Sequence, residues 1–240
     1  MIFELFEDTA KMGLIVFCLY AVFRAYVHRR QPAWSMLLER RRVAILSALV
    51  LAVLAVKVTE DVLGGESGPI DRAILVFVHA HVSTALATVF EAITLSGSAS
   101  VLVPVVSVAT VALLYWKHRY EAFLLAASAL TGAGLVYIVK TLVGRARPAL
   151  WPSEWYSGSS FPSGHTLVVA AAATAGALAL IRLWPATREW AIGVAFVWTL
   201  LVAFSRLVLG VHWPTDVLAA ACIGGTIPLV ISLGFSFNRN

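Results

Sequence analysis

Charge is nearly absent from most of this chain, and its few locations constrain the fold more than any other feature. Seven apolar stretches, at about 10–27, 43–61, 98–116, 121–140, 165–183, 191–207 and 215–235, carry few charges, mostly near their ends. Each approaches the roughly 17–25 residues that a helix needs to cross a bilayer. Hydrocarbon offers no partner to a backbone N–H or C=O, so a spanning stretch must be a helix that satisfies them internally. The expected fold class is therefore all-α, a polytopic transmembrane helix bundle. Only 13% of the 240 residues are charged, and the mean hydropathy is +0.86. A soluble domain carries about 25% charged residues, so a soluble enzyme, a disordered chain and a disulfide scaffold are excluded. Lys11 and Arg24 trim the first stretch, which leaves an interfacial placement as its alternative.

The basic residues orient the bundle. Arg29, Arg30, Arg40, Arg41 and Arg42 form the densest positive cluster, followed along the chain by Lys117 and Arg119, Arg182 and Arg188, and Arg239. The positive-inside rule places all of these in the cytoplasm, with the C-terminus beside them. The acidic N-terminus (Glu4, Glu7, Asp8) and the segment 61–97, with Asp61, Glu66 and Asp71 against Arg72, then lie on the extracytoplasmic side of the cell membrane. This distribution accounts for the net charge of +5 without nucleic acid. The N-terminus lacks the basic region and exit site of a cleavable signal. A single domain over 1–240 is expected: an N-terminal helix and basic loop (1–42), then a core bundle (43–235).

Between Ile70 and Thr94 the outward segment shows helical spacing, with Ile74, Phe77, Val78, Ala85, Val89 and Ile93. It predicts one or two interfacial helices. His79 and His81 lack a third ligand in the sequence, and a surface helix is favoured over a metal site. Cys18 and Cys222 read as small apolar side chains. Small residues one turn apart (Ala172 and Gly176, Ala220 and Gly224, Ala221 and Gly225) predict close helix packing.

Three outward places hold polar residues that the composition does not explain: Lys140, Arg145, Arg147 and Pro148; Pro162 to His165; and Ser205, Arg206, His212 and Asp216. The first two flank one outward loop, and the third follows an even number of crossings, so all three share a membrane face. Lys140, Arg147 and Arg206 suit phosphate oxygens. Ser163 and Gly164 open a helix whose free amides favour an anion. Asp216, four residues after His212, can hold one ring nitrogen and leave the other to attack phosphorus. His165 can protonate the leaving oxygen and then deprotonate water.

The series Lys140-x6-Arg147-Pro148, Pro162-Ser163-Gly164-His165 and Ser205-Arg206-x5-His212-x3-Asp216 resembles the three-part signature of the type 2 phosphatidic acid phosphatase superfamily. The resemblance covers about 140–216 directly. It implies a six-helix phosphatase core to which the N-terminal hydrophobic helix is an addition. It also implies a phosphohistidine formed on His212, with Asp216 as its partner and His165 as acid and then base. Lys140, Arg147, Ser163, Gly164 and Arg206 would bind the phosphoryl group, and no metal or other cofactor is expected. The implied substrate is a membrane lipid phosphate or diphosphate, such as undecaprenyl diphosphate, phosphatidylglycerol phosphate, phosphatidic acid or lipid A. The alternatives are lipid-to-lipid phosphotransfer at the same site and a non-catalytic lipid-binding or transport protein. Trp151, Trp155 and Tyr156 are candidates to line an entrance, and interfacial anchoring explains them equally well. Oligomeric state has no signal in the sequence.

Overall fold

The computed structural model describes residues 2–30, 41–151 and 158–237. Among the described residues all regular structure is helical: α1 (Ile2–Arg30), α2 (Arg42–Gly64), α3 (Gly68–His81), α4 (Thr84–Leu95), α5 (Ala99–Tyr115), α6 (Arg119–Val143), α7 (Gly164–Leu183), α8 (Arg188–Val208) and α9 (Pro214–Phe237). The chain is a multi-pass membrane protein. Six helices are long and apolar enough to cross a bilayer, namely α1, α2 and α6–α9. The expected crossing at 98–116 is α5, a shorter apolar helix. It nevertheless runs the depth of the bundle, from Gly97, packed against the start of α7, to a turn that leads into α6. Most of the basic loop, 31–40, lies outside the described residues, as do Trp155, Tyr156 and Arg239.

Helix α7 is the axis of the bundle. Its alanine-rich run from Ala170 to Ala179 is largely buried, with α8 and α9 packed on either side and α6 beside them. Helix α2 packs on α9, and α1 lies against α2. The predicted small-residue contacts divide. A Cβ on Gly224 would collide with the Leu167 carbonyl and come within 2.7 Å of Ala170 Cβ, so α9 meets α7 backbone to backbone there. On Gly225 it would approach Leu51 of α2 at 3.1 Å, whereas Gly176 has nothing within 4 Å. The Ala172–Gly176 pair therefore does not mark a close approach. Cys18 and Cys222 are both free thiols.

The segment 61–97, for which the sequence predicts one or two helices, has an inward face that its apolar spacing does not mark. It forms two helices, α3 and α4, bent by 116° at a break of a few residues, but Ile74, Phe77 and Val89 are exposed. The inward stripe is Ser67, Asp71, Leu75 and Val78 on α3, with Phe90 and Thr94 on α4. Leu75, Val78 and Phe90 join Ala203, Leu207, Val208 and Val217 in one apolar cluster, which seats the hairpin on α8 and α9. Lipid rewards an apolar outward face as protein does an apolar inward one, so apolar periodicity alone does not say which stripe meets the bundle. Asp71, one of the acidic residues of this outward segment, is fully buried.

Gly224→Ala is expected to cost about 1–3 kcal/mol by overpacking, lowering the thermal transition of the detergent-solubilised protein. Gly176→Ala meets open space, gains helix propensity and should leave that transition unchanged or higher.

Candidate active site

The residues singled out in the sequence converge at one end of the bundle because four helix ends meet there. Helix α6 stops after Lys140 at Gly144, whose left-handed φ of 62° lets its N–H return to the Lys140 carbonyl. The chain then runs extended through Arg145 to Pro148, and Ser160 clips it from alongside: its N–H reaches the Arg145 carbonyl at 2.8 Å and its Oγ the Ala146 carbonyl at 3.1 Å. Phe161, fully buried among Val58, Val62 and Ala219, anchors the approach to α7. Ser163 precedes the first turn of α7, with its N–H on the Asp216 carbonyl at 3.2 Å. The amides of Gly164, His165 and Thr166 fall in that turn, where an α-helix has no partner for them. A Cβ on Gly164 would press on Val136 at 3.2 Å, so glycine keeps the turn close to α6.

His212 lies between α8 and α9 and is almost wholly buried. Its Nδ1 is 3.4 Å from Asp216 Oδ2, and its Nε2 is 3.4 Å from the Nη1 of Arg147. The carboxylate assigns the ring proton to Nδ1 and leaves the Nε2 lone pair facing the cations. Asp216 is itself held: Oδ2 accepts the Trp213 N–H at 2.9 Å, and Oδ1 accepts from Arg145 at 2.6 Å. Arg147 also donates to the carbonyls of Val211 at 2.8 Å, Gly158 at 3.3 Å and Ser159 at 3.4 Å, which fixes its guanidinium beside the imidazole. Arg206, buried at the end of α8, donates to Thr94 Oγ1 at 2.7 Å. His165 stands within Coulombic reach of Arg206, His212, Lys140 and Arg147. Lys140 stands within reach of Arg147, Asp216 and Arg206.

Loss of hydration on burial disfavours the charged His212 ring most, and Arg206 and Arg147 add to it. These outweigh the Asp216 hydrogen bond and charge, and the pKa of His212 is pushed down from 6.5 to about 4. The imidazole is therefore neutral, with a lone pair available, across the physiological range.

Several residues take places that the sequence did not indicate. Arg145 turns away from the other cations and bridges two buried carboxylates, Asp216 and Asp71, the latter at 2.7 Å. Ser205 donates to the Val202 carbonyl of its own helix at 2.7 Å. His79 stacks on Trp151 at 3.9 Å, and the Trp151 ring covers Gly210, where a Cβ would come within 2.7 Å of Nε1. His81 Nδ1 lies 2.8 Å from the Phe77 carbonyl. Among the described residues no group of three His, Cys, Asp or Glu could hold a metal ion. Asp71 and Thr94 had one readable signal, a polar residue a helical turn from a large apolar one (Leu75 and Phe90).

The family model that matches this chain, over residues 121–239, is the PAP2 superfamily. Phosphatidylglycerophosphatase B of Escherichia coli K12 is 41% identical over 80 residues, which is 33% of this chain but only 30% of that protein's length. The Bacillus subtilis protein of the same name is 30% identical over 139 residues, 57% of this chain and 68% of its own. A crystal structure described as the first transmembrane PAP2 type phosphatidylglycerolphosphate phosphatase from Bacillus subtilis superposes with a TM-score of 0.69 at 25% identity. That superposition covers 82% of this chain and 97% of the other.

The depressed pKa predicts that the His212 ring protonates only as pH falls through about 4. Carbon-13 NMR of ring-labelled protein, with His212→Gln to assign the signal, should show it constant from pH 8 to about 5. A midpoint near the usual 6.5 would contradict the burial and charge balance described.

Proposed function

The chain belongs to the PAP2 superfamily, and on that footing we propose that it is a membrane enzyme that removes phosphate from a lipid phosphate or diphosphate through a phosphohistidine on His212. The observation that carries this is the His212 ring, neutral, tied at Nδ1 to Asp216 and turned at Nε2 toward Arg147, with Lys140, Arg206 and the first turn of α7 around it. Four cations, Lys140, Arg145, Arg147 and Arg206, share this region with two carboxylates, Asp71 and Asp216. The difference of about two positive charges matches a phosphate group near neutral pH.

In the first step Nε2 of His212 attacks phosphorus and the bond to the leaving oxygen breaks. His165 donates a proton to that oxygen, while Asp216 stabilises the positive ring that forms. In the second step His165 takes a proton from water, whose oxygen displaces the imidazole and releases inorganic phosphate. Lys140, Arg147 and Arg206, with the Ser163 hydroxyl and the amides from Gly164 onward, hold the non-bridging oxygens as charge redistributes. These cations supply the electrostatic stabilisation that a metal ion gives in other phosphatases. An extracytoplasmic site is supported by charge: Lys117, Arg119, Arg182 and Arg188 stand at the opposite end of the bundle, where the positive-inside rule puts the cytoplasm.

A lipid substrate is supported by an apolar cavity of about 850 Å³ between α2, α7, α8 and α9. Its lining includes Leu51, Ala177 and Ala221, and Leu207 and Val217, chain neighbours of Arg206 and Asp216. A tail lying there would leave its phosphate at the site. Phosphatidylglycerol phosphate is the first substrate to test, since similar proteins carry that activity in their names.

Purified protein in detergent should release phosphate from lipid phosphates in the presence of chelator, and His212→Ala should abolish the release, by about 10⁴-fold or more. In sealed vesicles of known orientation, the site should reach substrate added on the extracytoplasmic side. Turnover that survives His212→Ala overturns the nucleophile assignment, and loss on chelation overturns the metal-free chemistry. Ala221→Phe fills the cavity, so it should raise KM severalfold for a long-tailed phosphate while leaving a short-tailed one nearly unchanged; equal effects on both would remove the cavity from the substrate path.

A further inference from the structure

The three sequence motifs leave the segment 61–97 without a role, yet the structure ties it to each of them. From α3, Asp71 receives three bonds from the motif segments. Arg145 donates to Oδ2 at 2.7 Å, and Thr215 donates through its N–H to Oδ1 at 2.9 Å and through its hydroxyl to Oδ2 at 2.7 Å. Ser67, one turn earlier, takes a further bond from Arg145 at 3.1 Å. Arg145 spends its other nitrogen on Asp216 at 2.6 Å and Thr215 at 2.9 Å. One guanidinium thus spans from the hairpin to the carboxylate that holds His212. From α4, Thr94 Oγ1 takes the Arg206 bond at 2.7 Å. The loop after α4 completes the contact: a Cβ on Gly97 would come within 2.8 Å of Val202 and 3.4 Å of His165 Cβ.

Asp71 and Asp216 are both fully buried, and Arg145 is partly buried between them. Carboxylates in that setting need their cation, and the cation needs both of them to be fixed in direction. A threonine hydroxyl on a buried guanidinium likewise sets where its remaining donors point. Asp71 and Thr94 lie outside the three motifs, and each bonds a residue within them. Resting on the phosphatase reading above, we propose that the α3–α4 hairpin is a working part of the site. Asp71, through Arg145 and Thr215, positions Asp216 and hence His212, and Thr94 positions Arg206.

The test uses the full chain in detergent with a lipid phosphate. Asp71→Asn keeps shape and removes charge, and kcat per folded protein should fall about 10- to 100-fold, the cost of a misplacement on the order of 1 Å, with KM changed far less. Thr94→Val should act mainly on KM, because Arg206 holds the phosphate. The decisive measurement is the combination of Asp71→Asn with Asp216→Asn. If Asp71 acts through Asp216, the double variant is no slower than Asp216→Asn alone, whereas two independent structural defects would multiply. Full wild-type kcat in Asp71→Asn, or multiplied losses, overturns the proposal.

If Asp71→Asn does not fold, Thr215→Val and Thr94→Val replace it, and wild-type kcat and KM in both overturn the proposal. A readout without turnover separates this from the phosphatase reading: orthovanadate affinity should weaken in Thr94→Val, and the His212 ring signal should shift in Thr215→Val. Those changes in a protein that hydrolyses no lipid phosphate would retain the hairpin's role and reject the substrate class. Their absence overturns that role whatever the substrate.

Discussion

A charge moved out of water must find its opposite, and at the end of this bundle that holds the candidate site that requirement organises nearly everything. Asp71 and Asp216 are fully buried, and one guanidinium, Arg145, serves both. Stripping such a group of its partner costs about 3–5 kcal/mol, a large share of what holds a domain together. The pairing therefore fixes where α3 docks, where the loop after α6 runs and how α9 begins. With Arg145 committed to that role, the cations left around His165 and His212 are Lys140, Arg147 and Arg206, and the His212 imidazole is kept neutral.

The close approach of α9 to α7 serves the same end. Gly224 lets the two backbones meet, and Phe161 wedges the approach to α7 against α2 and α9. The first turn of α7 and the Asp216 carbonyl are thereby held together through the Ser163 N–H. Rigid packing in the lipid-embedded part sets the register of the helix ends, and the ends carry the chemistry. A bundle of this kind can vary its lipid-facing side chains freely while the geometry at one rim stays fixed.

Long uncharged stretches identify the membrane helices unaided, because lipid permits no other spanning structure in a single uninterrupted segment. The spacing of Lys140, Arg147, Ser163, Gly164, His165, Arg206, His212 and Asp216 was also legible, since few reasons exist to retain so many polar groups beside hydrocarbon. The faces of α3 and α4 were not. In water an apolar stripe points inward, but in a bilayer both sides of a helix can be apolar, and Ile74, Phe77 and Val89 point outward. Polarity does not settle the face either, since Asp71 and Thr94 are buried while Arg72 and Glu91 on the same helices are exposed.

By itself the sequence determined what the chain must be made of: helices where charge is absent, and a phosphate-suited set of side chains where it is not. It could not determine which cation each carboxylate would choose, because Arg145 and Arg147 are two residues apart and chemically identical. Only the fold separates them. Beyond the end of α6 one guanidinium is carried toward α3 and α9, where two buried carboxylates hold it, and the other toward His212.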